Sequence, residues 1–121
     1  MASPLIAVVD DDEAVRGATR RLMRSLGYQV STFSSAEEFL GSEQIRDTTC
    51  LITDLHMPGM SGIELQDRLI ADGRRIPVIF TTGYPDEKVR IRAMKAGAIG
   101  FFTKPCNDQF LNCLGAALKA H

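Results

Sequence analysis

"CLITDLHMPGMSG", Cys50 to Gly62, runs four residues suited to a buried strand into a lone carboxylate, Asp54, and then into a loop carrying Pro58, Gly59 and Gly62. A charge placed straight after an apolar strand has to be solvated, paired or used. Beyond the loop, Ser61 is of the residue type that caps a helix, and the segment from Gly62 to about Ala71 reads as that helix. The stretch is one strand–loop–helix unit with a charge at its hinge.

The same unit recurs in both directions along the chain. Upstream, "LIAVV" (Leu5 to Val9) reads as a strand, followed by Val15, Ala18, Leu22 and Leu26 on one helical face and Gly27 as a stop. "YQVSTF" (Tyr28 to Phe33) alternates like an edge strand, and Ser34 or Ser35 can cap a helix carrying Ala36, Phe39 and Leu40. Thr49 to Thr53 is the third strand. Downstream come "PVIFTT" (Pro77 to Thr82), a helix from Asp86 to Ala96 stopped by Gly97, "IGFFT" (Ile99 to Thr103), and a last helix from about Asn107 that presents Phe110, Leu111, Leu114, Ala117 and Leu118. Five strands alternating with helices predict parallel strands joined by right-handed crossovers, a three-layer α/β sandwich.

Composition is consistent with one domain over residues 1–121. The 121 residues are 45% hydrophobic, enough to fold without disulfide or metal staples. Lys+Arg 14 against Asp+Glu 15 leaves a net charge of -1, which argues against direct nucleic-acid or anionic-membrane binding. Cys50, Cys106 and Cys113 are odd in number with no close-spaced pair, and "MASPLIAVVDDDE" meets acids after a short apolar run, so a cytoplasmic protein with free thiols is expected. No stretch approaches the roughly 20 apolar residues of a membrane span.

Parallel strands all end at one rim, where open α/β sheets bind ligands. Read off the sequence, that rim collects Asp10, Asp11 and Asp12 after the first strand, Asp54 after the third, Thr82 at the end of the fourth, and Lys104 with Pro105 after the fifth. Two like charges about 4 Å apart repel by roughly 4 kcal/mol near a protein surface, so Asp10, Asp11 and Asp54 need a cation. Lys104 supplies one charge, and Mg²⁺, which keeps waters and suits sites completed by phosphate, is the natural second. No His or Cys side chain joins the cluster, which argues against zinc. A carboxylate oxygen of Asp54 is then placed to attack a phosphoryl group, giving an aspartyl-phosphate, with the Thr82 hydroxyl free to donate to a phosphoryl oxygen.

With these residues in place the chain resembles the receiver domain of two-component response regulators over essentially its whole length. The resemblance is carried by "VVDDDE", "ITDLHMPGMSG", "FTTG" and "AMKAGAIGFFTKP", in order and at strand ends. "SAEEFL" and the last of these look most like FixJ-type receivers, which commonly precede a helix-turn-helix output domain. It implies a flavodoxin-like (βα)5 sheet of order 2-1-3-4-5 and phosphorylation of Asp54 by a histidine kinase or phosphotransfer protein. It also implies Mg²⁺ held by Asp11, Asp54 and the backbone carbonyl of His56, Asp10 acting through water, a cis Lys104–Pro105 bond, and phosphorylation-dependent homodimers. Such a domain is a switch, not an enzyme, beyond self-phosphorylation from a small donor and slow autodephosphorylation.

The sequence departs from the family pattern at Phe101, which lacks the hydroxyl of a switch tyrosine, and at Cys106, where phenylalanine is frequent. His56 and Tyr84 stand two beyond Asp54 and Thr82. Asp12 is expected to be only an N-cap, the three cysteines incidental, and Arg90, Arg92 and Lys95 a solvated helix face. No output domain is expected within residues 1–121. Two competing functions are a metal-dependent phosphohydrolase using Asp54 as nucleophile and a flavin binder, the latter opposed by "DDDE", which would repel a phosphate.

Overall fold

The computed structural model describes residues 4–119, so the ends of the expected domain, residues 1–3 and 120–121, lie outside it, as does the start of the N-terminal stretch. Its strands are β1 (Leu5–Val9), β2 (Gln29–Phe33), β3 (Thr48–Asp54), β4 (Val78–Thr82) and β5 (Gly100–Thr103). They form one parallel sheet in the order β2-β1-β3-β4-β5. The helices are α1 (Glu13–Ser25), α2 (Ala36–Leu40), α3 (Gly62–Ala71), α4 (Glu87–Lys95) and α5 (Asp108–Lys119). The three-layer reading of the sequence holds.

Because successive strand residues face opposite sides, the apolar runs feed two cores at once. Ala7, Val9, Leu51, Val78 and Phe80 pack with Phe39, Ile63, Leu65, Leu69 and Ala93 of α2, α3 and α4. Ile6, Val8, Cys50, Ile52 and Ile79 pack on the other face with Met23 of α1 and Phe110 and Leu114 of α5. Burial on both faces is why the central strands are almost uninterruptedly apolar, while β2, at the sheet edge, is mixed.

Differences from the sequence reading have local causes. The second helix is a five-residue piece followed by a 3₁₀ turn, Glu43–Asp47, because Gly41 closes α2 and Ser42 opens a new turn through its side chain. On α1 it is Thr19 and Met23 that are buried; Leu26, expected on the core face, is the C-cap residue and is exposed. Asp54 belongs to β3, hydrogen-bonded as its last residue, instead of following it.

The helix starts are capped as the sequence suggests. The Asp12 side chain accepts from Ala14 N and Val15 N, Ser35 caps α2, and Ser61 forms a reciprocal capping box with Glu64. Gly62 is required: a Cβ there would lie 2.3 Å from the backbone oxygen of Asp54 and 3.1 Å from the Phe80 ring. The start of α3 is thereby seated directly against the end of β3.

Candidate functional site

Asp10 is pinned at every polar atom. Its amide donates to Phe33 O (3.1 Å), Oδ1 accepts from Asp12 N (2.9 Å), Oδ2 accepts from Lys104 Nζ (2.8 Å), and its carbonyl accepts from Arg16 Nη1 (2.7 Å). Asp54 Oδ1 lies 3.5 Å from the same Lys104 Nζ. The ammonium therefore bridges the ends of β1 and β3, reaching in from the loop after β5. Lys104 is positioned through its backbone as well, its amide donating to Thr82 O at 2.8 Å, and the Lys104–Pro105 bond is cis.

Asp10, Asp11 and Asp54 each offer a carboxylate oxygen within 4.8 Å of the others. Asp10 and Asp54 are buried while Asp11 is exposed. Burial, then the Asp10 charge, raise the Asp54 carboxyl above its ordinary value, against the opposing pull of Lys104. For Lys104, burial pulls the ammonium down, but the bond to Asp10 and the charges of Asp10 and Asp54 outweigh it and the net direction is upward. Three carboxylates facing one lysine are short of positive charge, and oxygen donors without His or Cys are the set a hard divalent cation takes.

Thr82 ends β4, one residue beyond Thr81, the register partner of Asp54. It is fully buried, and its hydroxyl oxygen accepts from Tyr84 N at 3.0 Å. Phe101 is paired in register with Phe80 and Thr103 with Thr82, so Thr82 and Phe101 are diagonal neighbours on the α4 side of the sheet. The Phe101 ring is half-buried, 6.1 Å from that of Phe80. The side chain of His56 is exposed.

The remaining cysteines and charges have structural accounts. Cys50 is buried and its thiol pushed up to about 12 by burial, then by Cys113. The Cys113 thiol lies 3.2 Å from Ile99 O, and Cys106 is half-buried beside Lys104 in a groove along α1. Arg90 pairs with Glu87, and Arg92 with Asp67 at 2.9 Å. Sequence reasoning missed two residues that hold the site's loops: Arg16, and Glu37, whose Oε2 accepts from Met60 N at 3.3 Å in the loop after β3. Arg16 could have been noticed as a cation one turn into the helix that follows the acidic run; nothing local marks Glu37.

With that geometry established, residues 6–113 match the family model of the response regulator receiver domain. The chain belongs to this family. It is 45% identical over 116 residues to the response regulator protein TmoT of Ectopseudomonas mendocina, covering 95% of this chain and 53% of that protein. It is 42% identical over 103 residues to the transcriptional regulatory protein FixJ of Azorhizobium caulinodans, covering 85% of this chain and 49% of that one. Among solved structures, the response regulator StyR superposes with a TM-score of 0.89 at 45% identity, over 98% of this chain and 61% of the other. The crystal structure of FixJ-N gives 0.86 at 35% identity, over 100% and 98%. The chain spans about half the length of the curated relatives it matches. Among the described residues no helix is long and apolar enough to cross a membrane.

Proposed function

We propose that this receiver domain, spanning residues 1–121, accepts a phosphoryl group on Asp54 from the phosphohistidine of a histidine kinase or phosphotransfer protein. In the transfer an Asp54 carboxylate oxygen forms the new P–O bond, the P–N bond to the donor imidazole breaks, and the imidazole leaves with the electron pair and takes a proton. The observation that carries the reading is the convergence of Asp10, Asp11, Asp54 and Lys104 from the ends of three strands.

Asp11 and Asp54, with the backbone carbonyl of His56 and Asp10 through water, would hold Mg²⁺, which when bound supplies charge against the phosphoryl oxygens. Lys104 is already held within 3.5 Å of Asp54 and would add a second positive charge to the same oxygens. The Thr82 hydroxyl then donates its hydrogen to a phosphoryl oxygen, and Phe101 turns inward beside it, reshaping the face of α4, β5 and α5. Homodimerisation is the readout we assign to that face, in the cytoplasm, and a DNA-binding output domain following in a longer protein is the assigned effector. The domain itself contacts no nucleic acid or membrane, and self-phosphorylation from small donors with slow loss of phosphate is its only chemistry. Nothing in the site favours a phosphohydrolase.

Incubation with Mg²⁺ and acetyl phosphate, followed by mapping of the acid-labile adduct, tests the assignment. A single adduct on Asp54, absent in Asp54→Asn, is expected; a stable adduct elsewhere, or full labelling of Asp54→Asn, overturns it.

A further inference from the structure

We infer that Arg16 is a positioning residue for the acidic loop, setting the geometry in which Asp11 meets a divalent cation. This rests on the reading of Asp11 as a metal ligand given above. The loop is held at both ends: at Asp12 O by the first main-chain bond of α1, from Arg16 N at 2.9 Å, and at Asp10 O by the Arg16 side chain, whose Nη1 donates at 2.7 Å. Asp11 is the one residue between the two anchored carbonyls. Its neighbours on either side have their carboxylates committed, Asp10 to Lys104 Nζ and Asp12 N, Asp12 to the capping of α1. The Asp11 carboxylate, exposed and yet within 4.8 Å of donors on Asp10 and Asp54, is what this bracing leaves on offer.

The side chain suits the task. From the end of the first turn of α1, the half-buried Arg16 can reach back over the helix start to a main-chain oxygen, and its planar guanidinium orders the acceptor in a way that a mobile ammonium does not. Among the described residues Arg16 forms no ion pair, so its bond to Asp10 O is not incidental to a surface salt bridge. Two opposed effects follow. The positive charge by itself repels a cation, so deleting it would tighten metal binding; the bracing preorganises Asp11, so deleting it would weaken metal binding. Partners that orient metal ligands are typically worth about 10–100-fold in affinity, which decides for the second effect.

The test titrates the full chain with Mg²⁺ in the absence of phosphodonor, following amide shifts by NMR, in wild type, Arg16→Lys, Arg16→Met and Asp11→Ala. The expected result is roughly tenfold weaker Mg²⁺ binding in both Arg16 variants. In the metal-free variants the amide shifts of Asp11 and Asp12 move while those of Phe110 and Leu114 in the far core do not. Labelling by acetyl phosphate returns toward wild type when Mg²⁺ is saturating. Mg²⁺ binding by Arg16→Met that equals or exceeds wild type, with Arg16→Lys restoring the wild-type value, would mean that Arg16 acts by charge alone and overturns the inference. Should Arg16→Met fail to fold, Arg16→Lys carries the test: wild-type affinity in it contradicts the bracing role. Undiminished Mg²⁺ binding by Asp11→Ala is a separate failure, that of the metal assignment itself.

Discussion

At the end of β1, Asp10 has its amide, its carbonyl and both carboxylate oxygens hydrogen-bonded, whereas at the end of β4 the Thr82 hydroxyl accepts one local bond, from Tyr84 two residues on. The first region joins four segments of chain: β1, β2, α1 and the loop after β5. In the second, Tyr84 is 80% exposed and Phe101 half-buried, and α4 beyond it carries exposed Ile91 and Met94. One half of the rim holds its side-chain charges in fixed positions; in the other the main chain is held as firmly, the Thr82 carbonyl accepting from Lys104 N at 2.8 Å, and it is the Thr82 hydroxyl that has a single local bond. On the proposed function, a phosphoryl group at Asp54 would sit between them, since β3 lies between β1 and β4. It can draw on Thr82 because the hydroxyl accepts from Tyr84 N and can still donate its own hydrogen in a charge-assisted bond to a phosphoryl oxygen.

The largest effect should come from breaking the braced half. Lys104→Ala leaves Asp10 and Asp54 facing each other without the shared ammonium, and the rate of labelling of Asp54 by acetyl phosphate should fall by about 100-fold, the scale of losing one preorganised charge-stabilising donor. A fall below fivefold would show that the lysine is dispensable there.

Gly62→Ala strikes the seat between α3 and β3. The added Cβ must displace the Asp54 carbonyl 2.3 Å away, so equilibrium unfolding in urea should show a loss of about 1–3 kcal/mol, as for overpacked cores. An unchanged midpoint would mean that this junction between β3 and α3 yields freely.

Thr82→Ala sharpens the comparison from the other side. Phosphate should still load on Asp54, while the response of α4 and Phe101 is lost. Moving a two-state equilibrium from 1:99 to 99:1 takes about 5.5 kcal/mol, and a hydrogen bond to a charged group supplies roughly 1.5–3 of it. Sedimentation of the phosphorylated variant should show weaker self-association than phosphorylated wild type; equal association would uncouple Thr82 from the switch.

The smallest effect concerns pH in the metal-free protein. The Asp54 carboxyl is raised in the folded state by burial and then by Asp10. Below the unfolded-state value both states hold the proton and Asp54 contributes nothing to stability. As pH rises, the unfolded chain releases the proton first, so stability falls until the folded carboxyl also ionises. Asp54→Asn should therefore raise the melting temperature at neutral pH and leave it unchanged in acid. Added Mg²⁺ should close the gap by stabilising wild type. A variant less stable than wild type at neutral pH would reverse the sign and contradict the charge crowding.

What the sequence disclosed follows from what is local. Strands buried on both faces announce themselves as apolar runs, and parallel strands bring their ends together, so Asp10, Asp11, Asp54, Thr82 and Lys104 could be assembled without coordinates. Caps at Asp12, Ser35 and Ser61 were legible because a capping side chain bonds within its own turn. Tertiary hydrogen bonds were not. The grip of Glu37 on Met60 spans 23 residues, and the one-residue offset that buries Thr19 and Met23 of α1 in place of Leu26 depends on how the helix rolls against the sheet. The fate of Asp54 as a member of β3 was set by pairing with β4, which no single segment reveals.

The most direct test of a braced half beside a responsive one is amide hydrogen exchange of the Mg²⁺-loaded chain before and after phosphorylation on Asp54. The account predicts altered protection at Thr82 to Tyr84, along α4 and at Phe101, with α1 from Val15 to Ser25 and β1 unchanged. Altered protection concentrated in α1 and β1, with the β4–α4–β5 region unmoved, would contradict it.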